Sequence, residues 1–456
     1  MIVLKPLHMK GLFLLVDNFP NYRVSLKMIA MKKTAILLFT IFTFILFSTV
    51  QAQMDTTHFV TTWQTDSAGF SNDSAIFIEV DTSYTYNFDI DWDNDGIFDT
   101  IGVDSSILIQ YPRPGTYTVR IRGIYPSIYF SSTGFFPTTV NYDQDKLISI
   151  DQWGNNPWQS LSSAFLNCSN LTNSATDTPN LNNVTNLYEM FSGASSFNAD
   201  LSNWNVSTIT SMAYMFQAAF AFNGNITNWD VSNVRDMNAM FADAYNFNQD
   251  VTTWDVSSVY STDLMFANSA FNQDISNWNL SAVIDISAMF LFARQFNQDI
   301  SNWDIPNVRS MVSLFDSSGL SRTNYDKILF SWQAKPHLMN VTLGAAGIKY
   351  CLGDSVRTLL IADGWSFNGD SLDCLAIGLQ ENDLVSNIRF YPNPAKNTIN
   401  IESELQVNRI NIYSAVGAIV KSSTQSIFSV QEIPAGTYVI EVITKHGIKK
   451  ELLIKQ

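Results

Sequence analysis

Residues 91–99 read Asp-Trp-Asp-Asn-Asp-Gly-Ile-Phe-Asp. Asp91, Asp93, Asp95 and Asp99 stand at the first, third, fifth and ninth positions of a calcium loop, and Gly96 takes the sixth, where such a loop turns sharply. Alternate carboxylates on a tight turn converge on one point, and hard oxygen ligands suit a hard cation. The twelfth position, which normally supplies a bidentate Glu, is Gly102. Two readings stay open: a calcium loop, or a hairpin turn with solvated carboxylates. No cofactor is expected besides this possible calcium. Three further groups could do chemistry. Cys351 and Cys374 would close a short loop, worth roughly 3 kcal/mol if paired. Cys168 reads as a small buried hydrophobe. His58, His337 and His446 lie in different segments, so no general base has an obvious partner, and no nucleophile elbow or HExxH motif occurs. The expectation is a protein that is not an enzyme.

Strands must position the acidic loop. The flanking stretches "SYTYNFDIDW" and "GTYTVRIRG" alternate apolar and polar residues, as half-buried strands do. Residues 54–150 are therefore expected to form a small β-sandwich. Ahead of it, Lys32 and Lys33 precede an apolar run over 34–47, and Val50 and Ala52 suit cleavage after Ala52. Residues 31–52 thus read as a signal peptide, with 1–30 a mis-assigned upstream extension. Export makes the disulfide possible.

Residues 151–375 say one thing repeatedly. Trp204, Trp229, Trp254, Trp278 and Trp303 recur every 24 or 25 residues. Met190-Phe191, Met215-Phe216, Met240-Phe241, Met265-Phe266 and Met289-Phe290 keep the same beat, closed by Leu314-Phe315. A fixed period in this range means a solenoid. Apolar steps of mostly three residues fit neither a helix nor a strand. They predict a chain that turns corners, with one short strand and a helical turn per coil. One coil's few large side chains cannot offset the entropy of ordering its backbone, so stability must come from neighbours stacking. The tryptophans are expected as a ladder. Asn198, Asn223, Asn248, Asn272 and Asn297 hold one phase, where an amide can satisfy otherwise buried backbone groups. Asp230, Asp255 and Asp304, with Asn205 and Asn279, read as turn residues.

The pattern "FNxDISNWDVSxVxxMxxMF" resembles the repeat of BspA-like leucine-rich-repeat surface proteins. Residues 149–198 and 319–370 resemble the segments that open and close that family's arrays. Residues 54–150 resemble the PKD-like leader found before such repeats. After a linker at 376–386, residues 387–456 carry "FYPNPA", "IYSAVG", "IPAGTYVIEV" and the basic ending "KKELLIKQ". These are similar to the type A C-terminal sorting domain of the type IX secretion system. The fold class implied is mainly β: a leucine-rich-repeat-like solenoid of about 25-residue repeats between two small β-sandwich domains.

Charge narrows the partners. The chain carries a net charge of −15, which repels nucleic acid and anionic membrane surfaces. The resemblances imply Sec export, then passage by the type IX machinery acting on 387–456, to the outer-membrane surface or surroundings of a Gram-negative bacterium. The solenoid is expected to bind an unknown extracellular protein or glycan. Exposed residues that break the repeat are the candidates for that contact: Tyr214, Arg235, Tyr245, Tyr260 and Arg294. A structural spacer or surface coat is the alternative, and a polysaccharide-active enzyme a remoter one.

Overall fold

The computed structural model describes residues 55–130, 142–374, 388–414, 417–444 and 447–456. The upstream extension, the signal peptide and the linker at 376–386 lie outside the described residues. The fold is mainly β.

Residues from 59 to 152 supply seven strands: β1 (Phe59–Gln64), β2 (Ala75–Ile78), β3 (Asn87–Asp91), β4 (Thr100–Val103), β5 (Ile107–Gln110), β6 (Thr116–Ile124) and β7 (Leu147–Gln152). Alternation decides which face each buries: Phe88 and Ile90 of β3, Val119 and Ile121 of β6, and Ile76 and Ile78 of β2 point into one core. The larger sheet runs β4-β3-β6-β1-β7-β8, and β2 pairs with β5. Its last strand, β8 (Thr172–Asn173), belongs to the repeat region and pairs parallel with β7. The boundary expected at 150/151 thus falls inside β7. An aromatic seam crosses it. Trp158 lies 5.1 Å from Phe59, and Trp153 lies 5.4 Å from Trp204. One buried core runs from Phe59 to Trp365.

A buried ion pair pins these strands. Lys146 and Asp143 are both fully buried. The Lys146 ammonium donates to the carbonyls of Ser71, Asn72 and Ala75 and to Ser71 Oγ, at 2.8–3.0 Å. Asp143 accepts the amides of Ser71 and Phe77.

The backbone of the repeats differs from expectation. Residues 174–321 contain no strand or helix; each unit is a run of consecutive turns. A single parallel bridge per unit links Asn186, Ser211, Asp236, Ser261, Asp285 and Ser310 in series. The cause is backbone handedness. Each unit holds two left-handed residues four apart, such as Tyr214 and Ala218 (φ 60° and 54°) or Ala239 and Asp243 (50° and 59°). These break any extended run. Amide directions therefore alternate. Phe216 donates to Met240 of the next unit at 2.9 Å, whereas Gln217 donates back to Tyr214 at 3.1 Å.

Inside, phenylalanines stack in register. Phe165, Phe191, Phe216, Phe241, Phe266, Phe290 and Phe315 form one column, with successive centroids 5.4–6.1 Å apart. Phe197, Phe222, Phe247, Phe271 and Phe296 each lie 3.7–4.0 Å from the phenylalanine of their own unit. The tryptophans are buried beside them, but only Trp229 and Trp254 stack on each other as the expected ladder required, at 6.3 Å. Their constraint is polar. The indole N–H groups of Trp229, Trp278 and Trp303 donate to Leu201, Val251 and Ile275 of the preceding unit.

The asparagine column works as its chemistry predicts. Asn198 Oδ1 accepts the amide of Asn223, which accepts Asn248, then Asn272, then Asn297, each at 2.8–2.9 Å. Asn205, Asp230, Asp255 and Asn279 each accept the amide two residues on, closing side-chain turns.

Helix α1 (Arg322–Ala334) closes the array, laying Trp332 and Tyr325 against Phe315. Two parallel pairs follow: β9 (Thr342–Gly344) with β11 (Ser366–Asn368), and β10 (Lys349–Tyr350) with β12 (Ser371–Leu372). Helix α2 (Asp354–Ala362) lies between them in sequence. Cys351 and Cys374 are disulfide-bonded, and Cys168 is buried and free.

Residues 388–456 form seven strands in a three-stranded and a four-stranded sheet around their own core, which includes Ile399, Ile410, Ile440 and Leu453.

Candidate functional site

The acidic loop joins β3 to β4. Asp91, at the end of β3, is fully buried and accepts the amides of Asp95 and Gly96 at 3.2 and 3.0 Å. Gly96 has φ 92°, the conformation the sharp turn requires. Carboxylate oxygens of Asp91, Asp93 and Asp99 lie within 4.8 Å of one another. Asp95 is the exception: its Oδ1 accepts the amide of Ile97 at 2.7 Å and so closes a turn. Asp99 Oδ2 accepts the Trp92 amide. Gly102 is held in β4, its amide bonded to Asp89, so the chain runs into a strand where a calcium loop would normally deliver its twelfth ligand. Burial, and the charges of Asp95, Asp99 and Asp91, raise the pKa of Asp93. Three convergent oxygens of this kind could hold a divalent cation with help from backbone carbonyls and water.

The second candidate is a face of the array. Take the eleven residues centred on each core Met or Leu: 210–220, 235–245, 260–270, 284–294 and 309–319. Every exposed large apolar residue between 181 and 320 falls in these windows: Phe220, Tyr245, Tyr260, Ile284, Phe292 and Val312. So do all three arginines of that stretch, Arg235, Arg294 and Arg309. The other half of each unit exposes Asn, Asp, Ser and Thr in near-constant order.

Backbone bonds hold the variable residues in register. The amide of Tyr260 donates to Arg235, that of Ile284 to Tyr260 and that of Arg309 to Ile284, at 2.8–2.9 Å. Phe220 and Tyr245 stack one above the other, 4.9 Å apart and within 2° of parallel. Ala239, Ala242 and Ala267 of the same stretches form a small buried apolar cluster, packed by Tyr214, Leu264 and Leu291 and separate from the main core. Of the five expected contact residues, Arg235, Tyr245, Tyr260 and Arg294 are exposed here. Tyr214 is half-buried, packed edge-on against Tyr188. Phe220, Ile284, Phe292, Arg309 and Val312 were not anticipated. Each replaces a smaller or polar residue in its own column, and a column-by-column comparison would have flagged them.

Asp263 sits on the same face. Burial and the nearby charge of Asp285 push its pKa up to about 6. A carboxyl with a raised folded-state pKa binds more protons folded than unfolded, so stability falls as pH rises from about 4 to 6. Asp263→Asn is expected to raise stability at pH 7.5 by about 1 kcal/mol, after allowance for its partial exposure. It should also flatten that part of the pH profile, as denaturant titrations at several pH values would read.

Residues 159–270 and 251–340 match the family described as "Mycoplasma protein of unknown function, DUF285". Residues 389–456 match the "Secretion system C-terminal sorting domain". A tail of this kind marks a secreted or cell-surface protein. It implies recognition by the type IX secretion machinery. No curated protein and no solved structure gives a match. Among the described residues no helix is long and apolar enough to cross a membrane.

Proposed function

We propose that residues 151–375 form a leucine-rich-repeat-like solenoid of the BspA-like kind that holds a protein partner outside a Gram-negative cell. The protein would reach that surface by Sec and then type IX export, and it acts by adhesion rather than catalysis. One observation carries this reading: the exposed large apolar residues and the arginines between 181 and 320 all fall in the same eleven-residue stretch of the repeat, and the rest of each repeat stays monotonous. A spacer has no reason for that segregation, whereas aromatic and Arg side chains are the usual interface anchors. A protein suits the face better than a glycan. Phe220 and Tyr245 each give one ring face to the other, and the aliphatics Ile284 and Val312 exposed in the same stretch of the repeat have no ring face to offer a sugar.

The test is a protein and glycan array probed with the secreted chain. Binding to protein spots is expected. Tyr245→Ala, Tyr260→Ala and Arg235→Ala should each weaken it about thirtyfold, the roughly 2 kcal/mol of an anchor residue. Asn203→Ala, on the monotonous side, should leave it unchanged. Absence of any protein spot, or protein spots indifferent to all three substitutions, would overturn this reading and favour the spacer.

The convergence of Asp91, Asp93 and Asp99 favours a structural calcium ion in the leader. The expected result is a higher melting temperature in calcium than in a chelator. Asp93→Asn should remove most of that shift while leaving the chelated protein as stable as before or slightly more so, because a repelling charge has gone.

A further inference from the structure

A cleft lies where residues 57–124 meet the start of the repeat region. Its volume is about 330 Å³, at the small end of the range for small-molecule sites. Strands β3 and β6 supply one wall, with Asp89 and Arg122. His58 and the loop Asn155–Asn156–Pro157 supply the other.

The walls are held in place before any ligand arrives. Asp89 Oδ2 accepts Arg122 Nε at 2.9 Å, and its Oδ1 accepts the Gly102 amide at 2.9 Å. The Arg122 guanidinium lies 3.7 Å over the ring of Phe98, and His58 meets that ring's edge at 5.4 Å. Asn156 is buried and its amide donates to the Tyr125 carbonyl at 2.6 Å. The opposite loop approaches so closely that a Cβ on Gly154 would lie 2.4 Å from the His58 carbonyl.

Polarity indicates the ligand. The one guanidinium is already balanced by the one carboxylate, so the cleft has no surplus charge for an anion or a cation. It offers instead a mixture of donors and acceptors at short spacing: the terminal N–H groups of Arg122, the side-chain amide of Asn155 and the Asp89 oxygens. Pro157 adds a small apolar surface. Vicinal hydroxyls, each a donor and an acceptor, fit such an array. We infer that this cleft binds a neutral saccharide, one sugar unit deep, independently of the partner held by the repeats.

The secreted chain would be titrated with the methyl glycosides of glucose, galactose, mannose and N-acetylglucosamine, and with methyl glucuronide. Saturation-transfer NMR detects millimolar binding. At least one neutral glycoside is expected to bind, at least tenfold more weakly to Arg122→Met and to Asn155→Ala, and equally well to Tyr245→Ala. Both substituted side chains are exposed, and unchanged far-ultraviolet circular dichroism would confirm the fold. No binding across the neutral panel would overturn the inference. So would binding indifferent to both cleft substitutions, or a clear preference for the glucuronide.

Discussion

Phe241→Ala should cost about 3–5 kcal/mol, the usual range for emptying a fully buried phenylalanine site. The ring has no exposed surface. It packs 3.7 Å from Phe247 in its own unit and 5.7 and 5.8 Å from Phe216 and Phe266 in the units on either side. One substitution therefore weakens two interfaces between neighbours, and in a stacked array those interfaces are where stability resides. The backbone of the array has no long ladder to compensate, since each unit offers its neighbour only alternate amides. Hydrogen exchange should accelerate in the units around 216 and 266 together and stay unchanged over residues 388–456, which have a separate core. Phe241→Leu, which keeps most of the volume, should lose less. A loss below about 1 kcal/mol for the alanine variant would mean the ring columns do not hold the array together.

Removing one half of the buried ion pair should do comparable damage to the leader. Asp143→Ala leaves the Lys146 ammonium buried without its counter-charge, and such breakage typically costs about 3–5 kcal/mol. The carboxylate also anchors the segment around Ser71 and Phe77 through two amides. A pH series separates the charge from the anchoring. Burial lowers the pKa of Lys146, and losing Asp143 lowers it further. A lysine with a depressed folded-state pKa binds fewer protons folded than unfolded, so stability rises as pH climbs toward the unfolded value. The deficit of Asp143→Ala against the native protein should shrink between pH 7 and pH 10. A deficit constant with pH would assign the loss to the hydrogen bonds that Asp143 accepts from the Ser71 and Phe77 amides and the Ser71 hydroxyl.

What the sequence revealed follows from how each signal is written. A period is self-announcing, so the units, the asparagine column and the side-chain turns could be read from spacing and from the valence of an amide. Handedness is not: Tyr214, Ala239 and Leu264 are ordinary L residues, and nothing in their types says that the backbone around them is left-handed. The expected strand per unit failed for that reason. Tryptophan drew attention as the largest repeated ring, yet the shorter phenylalanines stack closest, because a phenyl ring can lie flat on its neighbour while the indoles of Trp229, Trp278 and Trp303 turn their N–H groups toward carbonyls. The burial of the Lys146–Asp143 pair was hidden because the carbonyls that hold the lysine lie more than 70 residues away in sequence. For the acidic loop, spacing identified the four aspartates, but only geometry showed that Asp95 turns aside to a backbone amide.

The asparagine column has a consequence for how such proteins change over time. Each amide reads only the unit before it, and at the end of the series Ser321 takes from Asn297 the same bond that another repeat would have taken. A whole copy could be gained or lost by duplication or deletion without redesigning either cap. Lineages could then lengthen or shorten the molecule in steps of one unit, adjusting how far its contact surface reaches while every joint stays the same.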